Sequence, residues 1–298
     1  MIPKSVSVVS ANYNNAKYLH DYFESIMQSE VLPNEIIIVD DGSTDNSKEV
    51  IASASASNHL VKPIYLDTNV GFANALNIAI ENVKSTYILR LDPDDCIDVN
   101  RISMQVEFLE NNPTIGIVGS NVEYFTTRAR KIIGKSNFQS GIDWIEDCYR
   151  SGDNGIMHGT VLGRTEHFRQ YSYQQAWVPA EDYDVFSRMI VDGVLFANLL
   201  DSLTYVRVHE GSVTNDLRYD VFTKTFHLRG ERFGLHKHPA MVFIGYLSRK
   251  CYRRYLASSN INKYVYLAIA ATLAPSASFR RTRNFFWRFY RYASKNEH

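Results

Sequence analysis

The chain has 298 residues, 45% apolar and 21% charged, the composition of an ordinary globular protein long enough to bury a full core. Its formal net charge is zero but unevenly spread: Arg229 to the last residue holds 14 Lys/Arg against two acids, a balance of +12, and the remainder balances at −12. Three widely spaced cysteines argue against a disulfide framework, and no stretch reaches the about 20 apolar residues that crossing a bilayer requires.

Residues 5–10 (Ser-Val-Ser-Val-Val-Ser) are predicted as a strand rather than the apolar core of a signal peptide, so a cytosolic protein, or one attached to a membrane from that side, is expected. A polar stretch, 11–15, closes the strand. Leu19, Tyr22, Phe23, Ile26 and Met27 then fall on the stripe of an amphipathic helix, broken at Pro33-Asn34. Residues 35–39 contain Ile36-Ile37-Ile38-Val39, as expected of a parallel strand covered on both faces. The run ends in Asp40-Asp41-Gly42-Ser43-Thr44-Asp45, rich in helix-capping residues. A third strand is predicted at 64–66, a turn at Asn69-Val70-Gly71, and a second helix from the stripe Phe72, Ala75, Leu76, Ala79, Ile80 and Val83. Strands alternating with helices argue for βαβ units, right-handed crossovers and a mostly parallel sheet.

The next strand, at 87–91, ends abruptly in Asp92-Pro93-Asp94-Asp95. Pro93 lacks a backbone N–H and stops the strand, which puts three acids at its carboxyl end, where open α/β sheets bind ligands. Carboxylates so close repel one another unless a cation lies between them, and an oxygen-only set suits Mg or Mn better than Zn. The alternative is a surface β-turn or helix cap, which Asp-Pro-Asp-Asp also makes well. Beyond it the pattern predicts a helix through Ile102, Val106 and Leu109, a strand at 115–125, a hairpin arm at 128–134 and a short helix at 142–149. A strand at 160–162, a helix at 181–191 and a strand at 203–208 follow.

Six separated motifs, in order, resemble those of family 2 glycosyltransferases, enzymes of the GT-A fold, over about residues 5–214. They are Ser-Val-Val-Ser-Ala-Asn-Tyr-Asn-Asn at 7–15, Ile-Ile-Val-Asp-Asp-Gly-Ser-Thr-Asp at 37–45 and Asn-Val-Gly-Phe-Ala-Asn-Ala-Leu-Asn at 69–77. The others are Leu-Asp-Pro-Asp-Asp at 91–95, Ala-Glu-Asp-Tyr-Asp at 180–184 and Tyr-Val-Arg-Val-His-Glu-Gly-Ser at 205–212. The resemblance implies an α/β, Rossmann-like GT-A catalytic domain over 1–215, with a nucleotide-binding half to about 110 and an acceptor-binding half after it. Residues 216–298 are left as a basic, aromatic helical extension.

It also implies roles. Ser10, Asn12, Tyr13, Asp40, Asp41, Asn69, Gly71, Asn77, Arg90 and Asp92 would contact a nucleotide-sugar donor, with UDP the expected nucleotide and Asp40 facing the base. Asp92, Asp94 and His209 would hold Mn or Mg, which stabilises the diphosphate leaving group. Asp182 would be the base for an acceptor hydroxyl in an inverting transfer, and crowding by Glu181 and Asp184 raises a carboxylate pKa in a way that suits it. Acids in the first turn of a helix also simply complement its dipole. Arg90 is expected to meet a carboxylate or the diphosphate, and Arg188 to pair with Asp184 one turn away. On the acceptor side stand His158, Trp177 and Glu181.

Two departures touch that side: His158-Gly159-Thr160 stands where the family often has His-Pro, and Tyr171–Trp177 replaces a glycine-rich stretch. No Gln-x-x-Arg-Trp string of processive synthases occurs, so one sugar per encounter is expected. The implied acceptor is a glycan or lipid-linked oligosaccharide hydroxyl in cell-surface polysaccharide synthesis. A non-catalytic nucleotide-sugar-binding or scaffolding protein of the same fold is the alternative. In the tail, Arg281, Asn284, Arg288, Arg291 and Lys295 line one helical stripe, with Phe285, Phe286, Phe289 and Tyr292 opposite. That pattern favours an anionic membrane surface over a packed cap, and both over nucleic acid.

Overall fold

In the computed structural model, the structure describes residues 5–126, 131–209, 218–257 and 263–274. The chain divides into two compact units, Met1–Val213 and Thr214–His298.

The first unit begins with the predicted alternation: β1 (Val6–Asn12), α1 (Ala16–Met27), β2 (Glu35–Asp40), α2 (Ser47–Ser57), β3 (Val61–Tyr65), α3 (Phe72–Glu81) and β4 (Tyr87–Arg90). It continues through β5 (Cys96–Ile97), α4 (Arg101–Asn111), β6 (Ile115–Thr126), β7 (Ile132–Lys135), α5 (Ile142–Ser151), β8 (Leu162–Arg164), α6 (Thr165–Gln170), α7 (Glu181–Val191) and β9 (Leu195–Val208). Among the described residues the strands form one sheet in the order β3-β2-β1-β4-β8-β6-β9-β5, with β7 paired to β6. From β3 to β4 every pairing is parallel, whereas β8 runs antiparallel to both β4 and β6, and β6 pairs parallel with β9.

Because β2 lies on one side of β1 and β4 on the other, the chain reverses its direction of winding at β1. The carboxyl ends of β1, β2 and β4 therefore open onto a topological switch point, the crevice where sheets of this kind bind ligands. β1 and β2 are almost wholly buried, as continuous Val and Ile runs require when helices cover both faces. α1 buries Tyr18, Leu19, Tyr22 and Ile26, and α3 buries Ala73, Ala75, Leu76, Ala79 and Ile80, close to the apolar stripes of the sequence.

Several boundaries differ from expectation for identifiable reasons. β3 starts at Val61 rather than 64; Pro63 lies inside it, which the edge of a sheet tolerates. The segment 158–160 is a 3-10 turn, and β8 begins only at Leu162. β9 is longer than predicted because its first half carries Asn198, Asp201 and Ser202 without alternation, and its pairing with β6 shifts register around Asn121. The expected hairpin arm is present as β7, though residues 127–130 lie outside the described residues.

The second unit comprises α8 (Tyr219–Phe233), α9 (Pro239–Ala257) and α10 (Lys263–Leu273). Tyr219, Phe222, Phe226, Phe243 and Tyr246 form its aromatic cluster, and the Ser248 hydroxyl donates to the Ala270 carbonyl at 2.9 Å. The predicted aromatic and basic stripes at 281–295 lie outside the described residues.

Leu89 is fully buried between Val8 of β1 and Leu162 of β8. Leu89→Ala is expected to lower the unfolding free energy by about 2–5 kcal/mol in urea titrations, the range for a large core truncation.

Candidate active site

At the carboxyl ends of β1 and β2, Asn12 and Asp40 face each other in register, and the Asn12 Nδ2 donates to the Asp40 carboxylate at 2.8 Å. The other Asp40 oxygen accepts the Ser43 N–H at 3.0 Å. Asp41 accepts the N–H groups of Val70 and Gly71 at 2.7 and 3.0 Å, which fastens the turn before α3 onto the end of β2. Two glycines make this approach possible. Gly42 has φ +69° and a Cβ there would lie 2.8 Å from Asn69 N; Gly71 has φ +93°. Asp45 serves the starts of α1 and α2, accepting from Ala16 N–H and Ser47 N–H. Asp40 is thus fully buried, with each oxygen accepting one hydrogen bond from the protein, and it braces this loop. Tyr13 and Asn69 are exposed beside it.

The structure gives three other predicted residues internal work. Ser10 is buried and donates to the Leu91 carbonyl at 2.6 Å, and its hydroxyl also meets the Tyr22 hydroxyl at 2.7 Å, so it stitches β1 to the acidic loop rather than lining a crevice. Asn77 clasps the main chain of Tyr173 in both directions, donating to its carbonyl and accepting its N–H, each at 2.8 Å. His158 is enclosed by Phe72, Tyr173 and Phe186, with its Nε2 2.8 Å from the Tyr173 hydroxyl. Burial, reinforced by the Arg90 charge, holds the His158 pKa well below its usual value and keeps the ring neutral. A histidine so enclosed is a core residue, not one open to an acceptor.

After β4 the acids converge as expected. Asp92, Asp94 and Asp95 each offer an oxygen, and these atoms lie within 4.8 Å of one another. The Asp95 N–H closes the turn on the Asp92 carbonyl at 3.1 Å. His209 arrives from the end of β9 with Nε2 3.0 Å from an Asp94 oxygen, its ring 5.0 Å from that of Tyr18. Arg90, buried within β4, pairs with Asp92 as predicted, and its guanidinium lies 5.3 Å from the Phe72 ring centroid. Burial raises the pKa of Asp92 and, more strongly, Asp95, and the neighbouring acids add to the rise. Burial works against the Arg90 charge, but Asp92 outweighs it and lifts its pKa. A hard, all-oxygen set at this spacing with one imidazole beside it fits a divalent cation such as Mg or Mn. Among the described residues a second group, His20, Asp21 and Glu24 on α1, meets the same spacing.

Asp182 lies in the first turn of α7. Its pKa is raised chiefly by burial, a rise partly offset by the Tyr183 N–H, the Arg90 charge and the Asn154 amide that donates to its carboxylate at 2.8 Å. Glu181 is buried, one of its oxygens has no hydrogen-bond partner, and burial together with Asp182 lifts its pKa to about 7. The charges of Arg90 and Asp92 both act on Glu181, so the acidic loop and the start of α7 share one electrostatic environment. Trp177, half-buried, lies just ahead of α7 in a 3-10 turn. The predicted Arg188–Asp184 pair is present at 2.9 Å, and Arg188 also donates to the Ser172 carbonyl.

Sequence reasoning gave no role to four residues here. Gly159 underlies the acids, since a Cβ there would come within 3.3 Å of both Arg90 Nη1 and Asp92. Asn154 orients Asp182. Arg101, fully buried, donates to the Arg90 carbonyl at 3.0 Å. Arg207 contacts the acidic loop from β9. Gly159, through its departure from His-Pro, and Arg207, inside the motif at 205–212, each left a signal in the sequence.

A family model described as glycosyl transferase family 2 matches residues 7–176. An uncharacterised glycosyltransferase of Haemophilus influenzae is 30% identical over 213 residues, 68% of this chain and 65% of that protein. The poly-beta-1,6-N-acetyl-D-glucosamine synthase of Staphylococcus epidermidis is 36% identical over 118 residues, 40% of this chain and 28% of its own length. This chain thus spans less than two thirds of either relative. The amylovoran biosynthesis glycosyltransferase AmsE of Erwinia amylovora is 26% identical over 67% of this chain and 75% of that protein. Among solved structures, S. aureus TarS 1–349 with UDP-GlcNAc aligns with a TM-score of 0.62 at 16% identity, covering 90% of this chain and 80% of that one. The mannosyltransferase PcManGT of Pyrobaculum calidifontis with GDP-Man and Mn2+ aligns at 0.58 and 16% identity, over 92% and 74%. A curled α/β sheet winding both ways from β1, with ordered family motifs along its carboxyl edge and a family model matched over more than half its length, means that this chain belongs to glycosyl transferase family 2 and has the GT-A fold.

Proposed function

We propose that the protein is an inverting, metal-dependent glycosyltransferase that moves one sugar per encounter from a nucleotide-sugar, with UDP as the nucleotide, onto a hydroxyl of a glycan or lipid-linked acceptor. The observation that carries the reading is the electrostatic link between two acid groups: Arg90 pairs with Asp92, beside Asp94, Asp95 and His209, and its charge also acts on Glu181 and Asp182. Neighbours of the same fold that hold UDP-GlcNAc or GDP-Man with Mn2+ support the donor class. The synthase and AmsE relatives support a setting in polysaccharide assembly.

A divalent ion held by Asp92, Asp94 and His209 would supply Lewis-acid stabilisation of the diphosphate leaving group. The turn at 69–71, pinned by Asp41, and the exposed Tyr13 would border the nucleotide. Asp182 would take the proton of the acceptor hydroxyl as its oxygen forms a bond to the anomeric carbon. The bond from that carbon to the diphosphate breaks on the opposite face, and the nucleoside diphosphate leaves with the electron pair. Glu181, whose pKa is lifted to about 7, would hydrogen-bond a sugar hydroxyl, and Trp177 would offer a ring face to the acceptor. The scaffolding alternative predicts donor binding without turnover.

The surface of the second unit suits an acceptor held at a membrane. Tyr264, Val265 and Ile269 are exposed on α10, Met241 and Phe243 on α9, and Arg254 and Lys263 lie against aromatic rings nearby. Among the described residues no helix is long and apolar enough to cross a membrane. Peripheral contact with the anionic cytoplasmic leaflet is the corresponding reading.

Asp182→Asn is expected to lower transfer roughly 10²–10⁴-fold, the usual worth of a general base, while thermal stabilisation by donor and Mn2+ persists. Transfer at the wild-type rate would place the base elsewhere. Asn154→Ala removes a hydrogen bond that favours the Asp182 anion, so its pKa rises further and the acid limb of the pH–rate profile moves to higher pH; an unmoved limb would contradict the assignment. The purified chain should pellet with anionic vesicles at low salt and not with neutral ones, and failure to pellet would remove the membrane reading.

A further inference from the structure

Arg207 is 3% exposed near the end of β9, and its contacts reach three separate parts of the first unit, the acidic loop, α1 and β6. Its N–H donates to the Asp95 carboxylate at 2.8 Å and its Nε to the Asp94 carbonyl at 2.8 Å. Its Nη2 donates to the Asp21 carboxylate of α1, also at 2.8 Å. The guanidinium lies 4.9 Å from the Tyr18 ring centroid and 4.6 Å from that of Phe125, its partner residue in the β6–β9 register. Tyr18 in turn lies against His209, two residues beyond Arg207. Main chain and side chain of one residue thus grip both neighbouring acids, while Asp21 and two rings fix the guanidinium itself.

We propose that Arg207 is the positioning residue of the acidic site, a latch anchored on α1 through Asp21 that grips the Asp94 carbonyl and the Asp95 carboxylate and so fixes the loop that carries the ligands Asp92 and Asp94 before a cation arrives. The latch rests on the metal reading given above. The physical basis is specific to arginine. A rigid planar fork satisfies Nε and Nη2 acceptors in different directions while stacking between rings, which the single ammonium of lysine does not reproduce. Lysine retains the charge and the main-chain bond to Asp95, so Arg207→Lys isolates the fork. Residues that orient ligands in this way typically govern metal affinity, not merely fold stability.

The test is Mn2+ affinity of the full chain measured by electron paramagnetic resonance, at a temperature where circular dichroism finds each variant folded. Arg207→Lys is expected to weaken Mn2+ binding roughly 10–100-fold, the usual effect of losing an orienting partner. Asp21→Asn, a milder change at a partly exposed position, should weaken it less, and the double variant should be no weaker than Arg207→Lys alone, because both act through one guanidinium. Should Arg207→Lys not fold, Asp21→Asn decides. Wild-type affinity in the folded variants, with Asp94→Asn losing Mn2+, would overturn the latch and leave the metal reading standing. Undiminished binding by Asp94→Asn would overturn the metal reading and the latch with it.

Discussion

Mutual repulsion among Asp92, Asp94 and Asp95 is the constraint around which the catalytic unit is built. Two like charges about 4 Å apart cost roughly 4 kcal/mol each pair at an effective dielectric of about 20, so such a loop needs countercharge beneath it even before any ion binds. The fold supplies that charge from buried arginines on three elements: Arg90 in β4, Arg101 at the start of α4 and Arg207 in β9. Each also fixes backbone or a neighbouring acid. Arg90 pairs with Asp92, Arg101 holds the Arg90 carbonyl, and Arg207 holds Asp94 and Asp95. Arg101 bears the strain of this arrangement. Burial first, and the Arg90 charge second, pull its pKa down to about 9, while Asp95 and Asp92 oppose the fall.

The same economy joins the nucleotide half to the segment that leads into α7. Asn77 of α3 grips Tyr173, and Gln175 accepts the Ala73 N–H at the start of the same helix. Gly71 is needed for its φ of +93°, and the Gln175 side chain lies against it. Tyr173 then meets His158, which packs on Phe186 of α7. The turn that Asp41 pins and the helix that carries Asp182 are therefore linked through an aromatic and amide cluster, not through a flexible loop. In place of a glycine-rich stretch, this chain has residues that lock onto α3.

Much of this was legible in the sequence because the signals were local. Continuous Ile and Val runs, helical stripes and an abrupt Asp-Pro-Asp-Asp ending each depend on a few adjacent residues, and they located β1, β2, α1, α3, β4 and the acidic loop. What failed to appear depends on distant partners. β5 has two residues and is made by the pairing of Cys96 and Ile97 with Tyr205 and Thr204 of β9. Arg207 sat inside a recognised motif, yet its partners come from α1, β6 and the acidic loop. Ser10 and Asn77 show the converse: residues carried by a family motif whose side chains turn inward, to Leu91 and Tyr173, as does His158, at a departure from the family pattern, in its aromatic enclosure. A motif reports that a position matters, not whether its side chain faces the ligand or the scaffold.

The central claim is that one cation binds between the acidic loop and the donor diphosphate, across from Asp182. Anomalous diffraction from crystals grown with Mn2+ and a nucleotide-sugar tests it directly. The account predicts a peak bonded to Asp94 and to diphosphate oxygens, with the sugar between it and Asp182. A peak confined to His20, Asp21 and Glu24, or a nucleotide bound with its diphosphate away from the acidic loop, would contradict it.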